Sequence, residues 1–289
     1  MGFYQQDDQD LKSAPAPAAS AWSLKEWLFS TGIEHQPGPE ADEVPPPADP
    51  QDIWPWNDND GNHQCISISN YNVTSVETNL EEVLLSTTDF DMMQEHSAST
   101  ATVANIKAML RDVKKTAFFG PLDPNVKRHN LGGVAATNNS GKHRLIRLEP
   151  QTAEFKEAVA NGRVEHYGIG TSGGRMFSVF NVYGYSGGGG NKFRANKTDA
   201  LFKAILAERS ASPIGPCCIM GDFNADTDQI KTLAHMITAQ GWTDVGAAGE
   251  RWNQPKAEYT CITAGAKKPH RRDFIIANAE MTPLIKNLR

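Results

Sequence analysis

The nine residues PCCIMGDFN (residues 216–224) pass from small apolar side chains directly into a carboxylate and a carboxamide. The apolar run is typical of a buried strand, and Gly221 marks a place where another stretch of backbone passes closely. Because alternate residues of a strand face the same side, Asp222 and Asn224 project together, whereas Phe223 points the other way. The stretch predicts a polar pair held at a strand end by a rigid core.

Polar side chains also stand at the ends of other apolar runs. Asn72 closes SISNYN, Glu95 closes DFDMMQE, Tyr183 closes FSVFNVY and Asp273 opens DFIIAN. A lone Asp or Asn at a strand end usually forms a turn. Several such groups after strands instead indicate a site, because loops beside a sheet edge are where sites are assembled.

From residue 65 onward, short β-like runs alternate with longer helical runs, a pattern typical of an α/β or α+β domain. The predicted strands are CISISNYNV (65–73), DFDMMQE (89–95), GGVAAT (132–137), RMFSVFNVYGY (175–185), PCCIMGDFN, AEYTCIT (257–263) and RRDFIIAN (271–278). The predicted helices are VETNLEEVLLST (76–87), VANIKAMLRDV (103–113), KTDALFKAILAERS (197–210) and DQIKTLAHMITAQG (228–241). In the second helix, the spacing predicts that Ile106, Met109, Leu110 and Val113 face inward.

Residues 1–60 differ in composition from the rest of the chain. They hold 9 of the 17 prolines, with 12 acidic and 2 basic side chains, so residues 61–289 carry 22 acidic and 26 basic ones. This composition predicts a disordered, acidic, proline-rich tail ahead of a folded domain at 61–289. Within the tail, SLKEWLFSTGI (23–33) fits either transient structure or a short amphipathic helix.

We expect no secretory signal, because the first residues are acidic and lack an apolar stretch. No run approaches the length of a membrane-spanning helix. We therefore expect an intracellular protein of the nucleus or cytoplasm, with no membrane span and no obligate protein partner. The four cysteines lack zinc-ligand spacing and are predicted to be reduced core thiols.

Five motifs occur in order along the domain: NYNV, MQEH, VYGY, GDFNAD and RRDFIIAN. In this order they resemble the endonuclease/exonuclease/phosphatase superfamily, and most of all its apurinic-site and retrotransposon endonucleases. GDFN after a buried strand is the most specific of the five. The resemblance implies an α/β sandwich of two mostly antiparallel sheets flanked by helices, with the site at the sheet edges.

The resemblance also implies a metal site that activates water. Glu95 matches the principal ligand of Mg²⁺, with Mn²⁺ as the alternative ion, and Asn72 matches a polar neighbour that places metal or water. Asp222 matches the group that orients or deprotonates the attacking water. These residue types suit the chemistry, because Mg²⁺ prefers one or two carboxylates plus waters and stabilises the charge of a reacting phosphodiester.

Three further positions are implied to handle phosphate. Asn224 matches a hydrogen-bond donor to the phosphate, and Tyr183 matches a residue that supports the phosphate region. Asp273 matches the acid that orients a catalytic histidine in the superfamily. The partner that this resemblance implies is nucleic acid, and the charge of +4 over residues 61–289 is compatible with DNA.

The chain departs from the superfamily pattern in two places. The superfamily ends with a Ser-Asp-His segment on one more strand, and no such segment follows Asp273. We therefore expect a C-terminally truncated domain that lacks the last strand and leaves a sheet edge open. Thr74 stands where an acid is common. His96 is expected to be a solvated loop histidine, because strand alternation turns it away from the face of Glu95.

Three functions stay open at this point. The first is a Mg²⁺-dependent endonuclease that hydrolyses DNA. The second is a phosphatase or lipid phosphodiesterase on the same fold, since fold alone does not choose the substrate. The third is a catalytically inactive remnant that binds nucleic acid, a reading that the missing histidine favours.

Overall fold

A computed structural model describes residues 65–125, 132–171, 174–212, 215–256, 259–260 and 270–288, together with the strand backbone of 27–30. Its strands are β1 (Trp27–Ser30), β2 (Cys65–Asn72), β3 (Phe90–Gln94), β4 (Thr116–Phe119), β5 (Val134–Asn138), β6 (Arg144–Arg147), β7 (Val164–Gly170), β8 (Met176–Tyr183), β9 (Cys217–Asp222), β10 (Thr243–Asp244), β11 (Asp273–Ala277) and β12 (Ile285–Leu288). Its α-helices are α1 (Leu80–Leu85), α2 (Thr100–Asp112), α3 (Ala153–Ala160), α4 (Lys192–Ala211) and α5 (Lys231–Ala239). Short 3-10 helices lie at Gly249–Trp252 and Thr282–Leu284.

The strands form two sheets. The first has the order β12-β1-β2-β3-β5-β4, and the second has the order β10-β11-β9-β8-β7-β6. Strand β2 is parallel to β3, and β8 is parallel to β9, whereas the other described pairings are antiparallel. Each parallel pair is joined through a helix, as parallel neighbours require. The carboxyl ends of the two strands in each parallel pair therefore lie side by side.

Three hydrophobic clusters separate the layers. Between the sheets lie residues such as Ile68, Met92, Val179 and Met220. Helices α3 to α5 cover the outer face of the second sheet through a cluster that includes Phe180 and Phe223. Helices α1 and α2 cover the first sheet through a separate cluster that includes Val83, Ile106 and Leu110. The molecule is thus a sandwich of two sheets flanked by helices, which confirms the predicted fold class.

Six of the seven predicted strands coincide with β2, β3, β5, β8, β9 and β11. The seventh, AEYTCIT, is described only at residues 259–260, which are not in a strand. Helix α2 buries Ile106 and Leu110 as predicted, but Met109 is 44% exposed and Val113 is 48% exposed. These two side chains lie beyond the narrow stripe that meets the sheet. Helix α4 begins at Lys192, earlier than its apolar spacing predicted.

Two other expectations need correction. Residues 27–30 form strand β1, which pairs with β2 and β12, where the sequence fitted a short helix or transient structure. Cys217 and Cys218 are buried free thiols as predicted, whereas the free Cys65 is exposed at the start of β2. None of the described helices is both long and apolar enough to span a membrane.

Candidate active site

The predicted polar residues meet where the two sheets come together. Asn72 ends β2, and its amide Nδ2 donates to Glu95 Oε2 at 3.1 Å and to Asp222 Oδ2 at 3.0 Å. Asp222 ends β9, where it is paired with Tyr183 of β8 on one side and with Asp273 of β11 on the other. One amide therefore joins a carboxylate of the first sheet to a carboxylate of the second.

Unusual backbone geometry aims these side chains. Glu95 has φ +59° and Asn224 has φ +53°, in the left-handed region that non-glycine residues rarely occupy. Glu95 comes directly after β3, and Asn224 lies two residues after the end of β9. The turn at each position therefore redirects the side chain. Gly221 has φ +148°, and a Cβ there would overlap the carbonyl of Val182. The close backbone passage predicted at Gly221 is confirmed.

The orientation of the Asn72 amide follows from a local hydrogen bond. Its Oδ1 accepts from the backbone N–H of Thr74 at 2.8 Å, which turns the amide nitrogen toward the two carboxylates. Asp222 is held in turn, because its Oδ1 accepts from the N–H of Asn224 at 2.9 Å. The Asn224 amide donates to the carbonyl of Gly184 at 3.3 Å. The loops after β2, β8 and β9 are therefore connected through these side chains.

The three carboxyl groups are partly or fully buried and close enough to influence one another. Burial raises the pKa of Asp222, and the charge of Glu95 adds to this, against hydrogen bonds from Asn72 and Asn224. Burial also raises the pKa of Asp273, and the facing charge of Asp222 adds to it. Burial likewise raises the pKa of Glu95, although Asn72, Tyr183 and Arg163 oppose the change. The cluster is therefore costly to ionise without a cation.

This carboxylate cluster fits a hard divalent cation with few protein ligands. Oδ1 of Asp273 is buried and has no hydrogen-bond partner among the described residues. Across those residues, no three His, Cys, Asp or Glu side chains are placed as ligands of a single ion. Mg²⁺ suits such a site, because it takes one or two carboxylates and keeps several waters.

Tyr183 faces the same cluster from β8. Its hydroxyl lies 3.0 Å from Oγ of Ser186. Burial raises the pKa of Tyr183 well above its usual value, and the charge of Glu95 raises it further. The phenol is therefore neutral at physiological pH and is able to donate a hydrogen bond.

Sequence reasoning missed a buried ion pair behind Tyr183. The guanidinium of Arg163 pairs with Asp123, and both side chains are less than a tenth exposed. The same guanidinium carbon lies 5.1 Å from the ring centre of Tyr183 and 4.5 Å from that of Tyr185. Although burial opposes it, hydrogen bonds from Asn125 and Arg163 hold the pKa of Asp123 below its usual value. The pair fixes the guanidinium of Arg163 beside the site, with Asp123 as its counter-ion.

The rim near Asp222 is also basic. Arg272 donates to Asp226 at 2.9 Å and opposes the rise in the pKa of Asp222. Nδ1 of His270 lies 3.8 Å from Asp226. Arg271 makes two hydrogen bonds to Asp244, at 2.9 and 2.7 Å, which hold it away from the cluster.

His96 does not lie on a solvated loop, contrary to expectation. It is 1% exposed, its Nδ1 accepts from the N–H of Ala98, and its Nε2 lies 3.1 Å from the carbonyl of Gly120. Burial lowers the pKa of His96 to about 4, so the ring is neutral. The chain folds back over His96 because Gly133 has no side chain to obstruct the ring. His96 therefore supports the backbone after Glu95.

No protein-family model matches the chain, and no curated protein matches it significantly. Solved structures do match. The 3′ phosphatase NExo from Neisseria, bound to product DNA hairpin, has a TM-score of 0.52 and 19% identity, with 73% of this chain and 86% of that chain covered. An AP endonuclease from Archaeoglobus fulgidus has a TM-score of 0.53 and 15% identity, covering 74% and 86%. The Xenopus laevis APE2 catalytic domain has a TM-score of 0.54 and 14% identity, covering 74% and 82%. The likeness establishes a shared fold.

Proposed function

We propose that this chain is a Mg²⁺-dependent phosphodiesterase, and specifically an endonuclease that hydrolyses DNA. The observation that carries the proposal is the Asn72 amide, which donates to Glu95 and to Asp222 at the junction of the sheets. An arrangement that gathers buried carboxylates is expected where a cation binds. The buried, unpartnered oxygen of Asp273 supports the same conclusion.

Glu95 is the principal metal ligand in this proposal, with Asp222 next to it. Asn72 positions these two carboxylates through its amide N–H groups. It does not bind the metal itself in this proposal, because its side-chain oxygen already accepts a hydrogen bond from the backbone N–H of Thr74. When bound, Mg²⁺ or Mn²⁺ supplies positive charge to the reacting phosphate.

The remaining residues handle water and phosphate. Asp222 orients the attacking water and accepts its proton, a task favoured by a pKa that burial raises. Tyr183 donates its phenolic hydrogen to the phosphate region, where the charge of Arg163 adds to the attraction. Asn224 donates to a phosphate oxygen once its amide leaves the carbonyl of Gly184. Asp273 controls the charge of Asp222 across the strand pair.

Two observations favour DNA as the substrate. A structure that shares the fold is described as bound to a product DNA hairpin. In this chain, the positive charge lies in residues 61–289, where basic side chains exceed acidic ones by 26 to 22. A net positive charge attracts a polyanion, and this attraction is stronger at low salt.

The second candidate is a phosphatase or another phosphodiesterase that acts on a small substrate. The observation in its favour is that the Neisseria protein sharing this fold is described as a 3′ phosphatase. The same carboxylates serve either reaction, so activity on each class of substrate distinguishes the two candidate functions.

The test is nicking of supercoiled plasmid by the full chain with Mg²⁺ and with EDTA. We expect nicking only with the metal and a loss of at least about 100-fold in Glu95→Gln and Asp222→Asn, since each removes a charged group from the site. Glu81→Gln, at an exposed acid of α1, is the matched control. Full activity in Glu95→Gln contradicts the proposal. Folded protein that binds DNA without cutting it supports an inactive nucleic-acid-binding protein.

A further inference from the structure

Aromatic rings and cations alternate from the candidate active site to the surface. Arg163 lies over the rings of Tyr183 and Tyr185, at 5.1 and 4.5 Å from their centres. Nζ of Lys197 lies 5.2 Å from the ring centre of Tyr185 and 5.1 Å from that of Phe193. The order from inside to outside is therefore Tyr183, Arg163, Tyr185, Lys197, Phe193, which we name the aromatic–cation column.

The inner and outer ends of the column differ in environment. Tyr183 and Arg163 are buried, and the ion pair with Asp123 explains their arrangement. Phe193, in the first turn of α4, is 67% exposed. Single exposed apolar residues are ordinary on protein surfaces. Phe193 differs from such a residue because the ammonium group of Lys197 lies over both its ring and the ring of Tyr185. Tyr185 is half-buried beside the site.

The positive charges around Phe193 favour an anionic partner. Lys192, Arg194 and Lys197 lie in the first two turns of α4, all exposed, and the first turn holds no acid. Cations are unfavourable near the positive end of a helix. The Asn191 side chain already caps the N–H groups of Phe193 and Arg194. The side chains, not the helix end, are therefore the groups that an anion would meet.

We propose that the outer end of the aromatic–cation column binds the nucleotide next to the reacting phosphate, with Phe193 stacked on its base and Lys197 paired with its phosphate. This inference rests on the proposed function, because it assigns the substrate of the same site. Every base has a π-face, so such stacking is tolerant of sequence. Arg194, whose Nη1 donates to the carbonyl of Ser186, connects this surface to the loop that holds Tyr183.

This placement defines the class of nucleic acid. A base inside a duplex is covered on both faces by its neighbours, so Phe193 requires an unstacked base. The preferred substrate is therefore DNA with an unpaired or single-stranded nucleotide beside the cleaved bond.

The experiment compares the binding of two single-stranded oligomers of equal length and charge by the full chain in EDTA, where cleavage does not interfere. One is oligo(dT), and the other has the same backbone without bases. We expect the wild-type chain to bind oligo(dT) roughly 5- to 150-fold more tightly, the range of stacking one base. Phe193→Leu should lose that preference, and Phe193→Trp should keep it. Leu85→Ala, at an exposed apolar residue of α1, is the matched control and should also keep it.

Equal binding of both oligomers by the wild-type chain, or an unchanged preference in Phe193→Leu, overturns the inference. Plasmid nicking that depends on Glu95 would still support the proposed function in that case. Conversely, a preference that depends on Phe193 in a chain that cuts no DNA supports the stacking surface and contradicts the endonuclease. The two failures are therefore distinguishable.

Discussion

Asp222 and Asp273 face each other across the antiparallel pair β9 and β11, and both are at most 8% exposed. Burial raises the pKa of each carboxyl, and the charge of Asp222 raises that of Asp273 further. The folded chain therefore binds more protons than the unfolded chain over the interval between the unfolded and folded pKa values. The free energy of unfolding falls as pH rises through that interval.

Asp273→Asn should relieve this cost, since it removes one buried charge at nearly constant shape. Without metal, we expect the variant to exceed the wild-type chain in stability by ~2 kcal/mol at pH 8 and to match it near pH 4, where carboxyls of the unfolded chain protonate. Thermal unfolding in EDTA from pH 4 to 9 measures the difference. A difference that does not change with pH contradicts the proposed origin in charge repulsion.

At the scale of elements, a buried asparagine connects the two sheets beneath the site. Asn181 of β8 donates from Nδ2 to the carbonyls of Met93, at 3.1 Å, and Ala135, at 2.9 Å. Its Oδ1 accepts from Nε2 of Gln94 at 2.6 Å, and that nitrogen also lies 2.8 Å from Oδ1 of Asn70. Because Gln94 directly precedes Glu95, this cross-sheet contact helps to set the position of the metal ligand.

Asn181→Leu keeps the volume of the side chain but removes its hydrogen bonds. We expect a loss of about 2–4 kcal/mol in the free energy of unfolding, because buried polar groups of β3 and β5 lose their partner. We also expect kcat to fall more than KM rises, since Glu95 would shift relative to Asp222. Urea unfolding and plasmid-nicking kinetics measure the two effects. Asn196→Leu, at an exposed asparagine of α4, should leave both nearly unchanged, and equal losses in the two variants contradict the role of Asn181.

The sequence pattern did not predict some strands, and the reasons are physical. Strand β7 is almost fully buried although it carries Glu165 and His166, because Arg147 pairs with Glu165 at 3.0 Å and the His166 ring stacks on Phe180 at 3.9 Å. Polar side chains that are buried against distant partners do not show a strand period. Glycines add to the difficulty in β7, which ends at Gly170.

At the scale of the whole molecule, the sequence predicted the polar strand ends better than their surroundings. Asp222 and Asn224 were predictable because strand alternation and a buried apolar run are local properties. The Arg163–Asp123 pair joins residues 40 positions apart, outside the predicted strands and helices, so no local pattern indicates it. Strand β1 was unpredictable for a similar reason, since β12, which pairs with it, lies about 260 residues further along the chain.

Strand β1 should contribute to the stability of the first sheet from within a segment that composition alone predicts to be a tail. It pairs with β2 on one side and with β12 on the other, and Leu28 lies opposite Ser67 and Asn287. Leu28→Pro removes a backbone N–H from an inner strand, so we expect a loss of ~2 kcal/mol and a lower melting temperature. Nicking should also weaken, because β2 carries Asn72 at its end. Leu28→Val keeps the N–H group and serves as the control in thermal unfolding of the full chain. Equal melting temperatures for the proline and valine variants would show that the pairing of β1 does not stabilise the sheet.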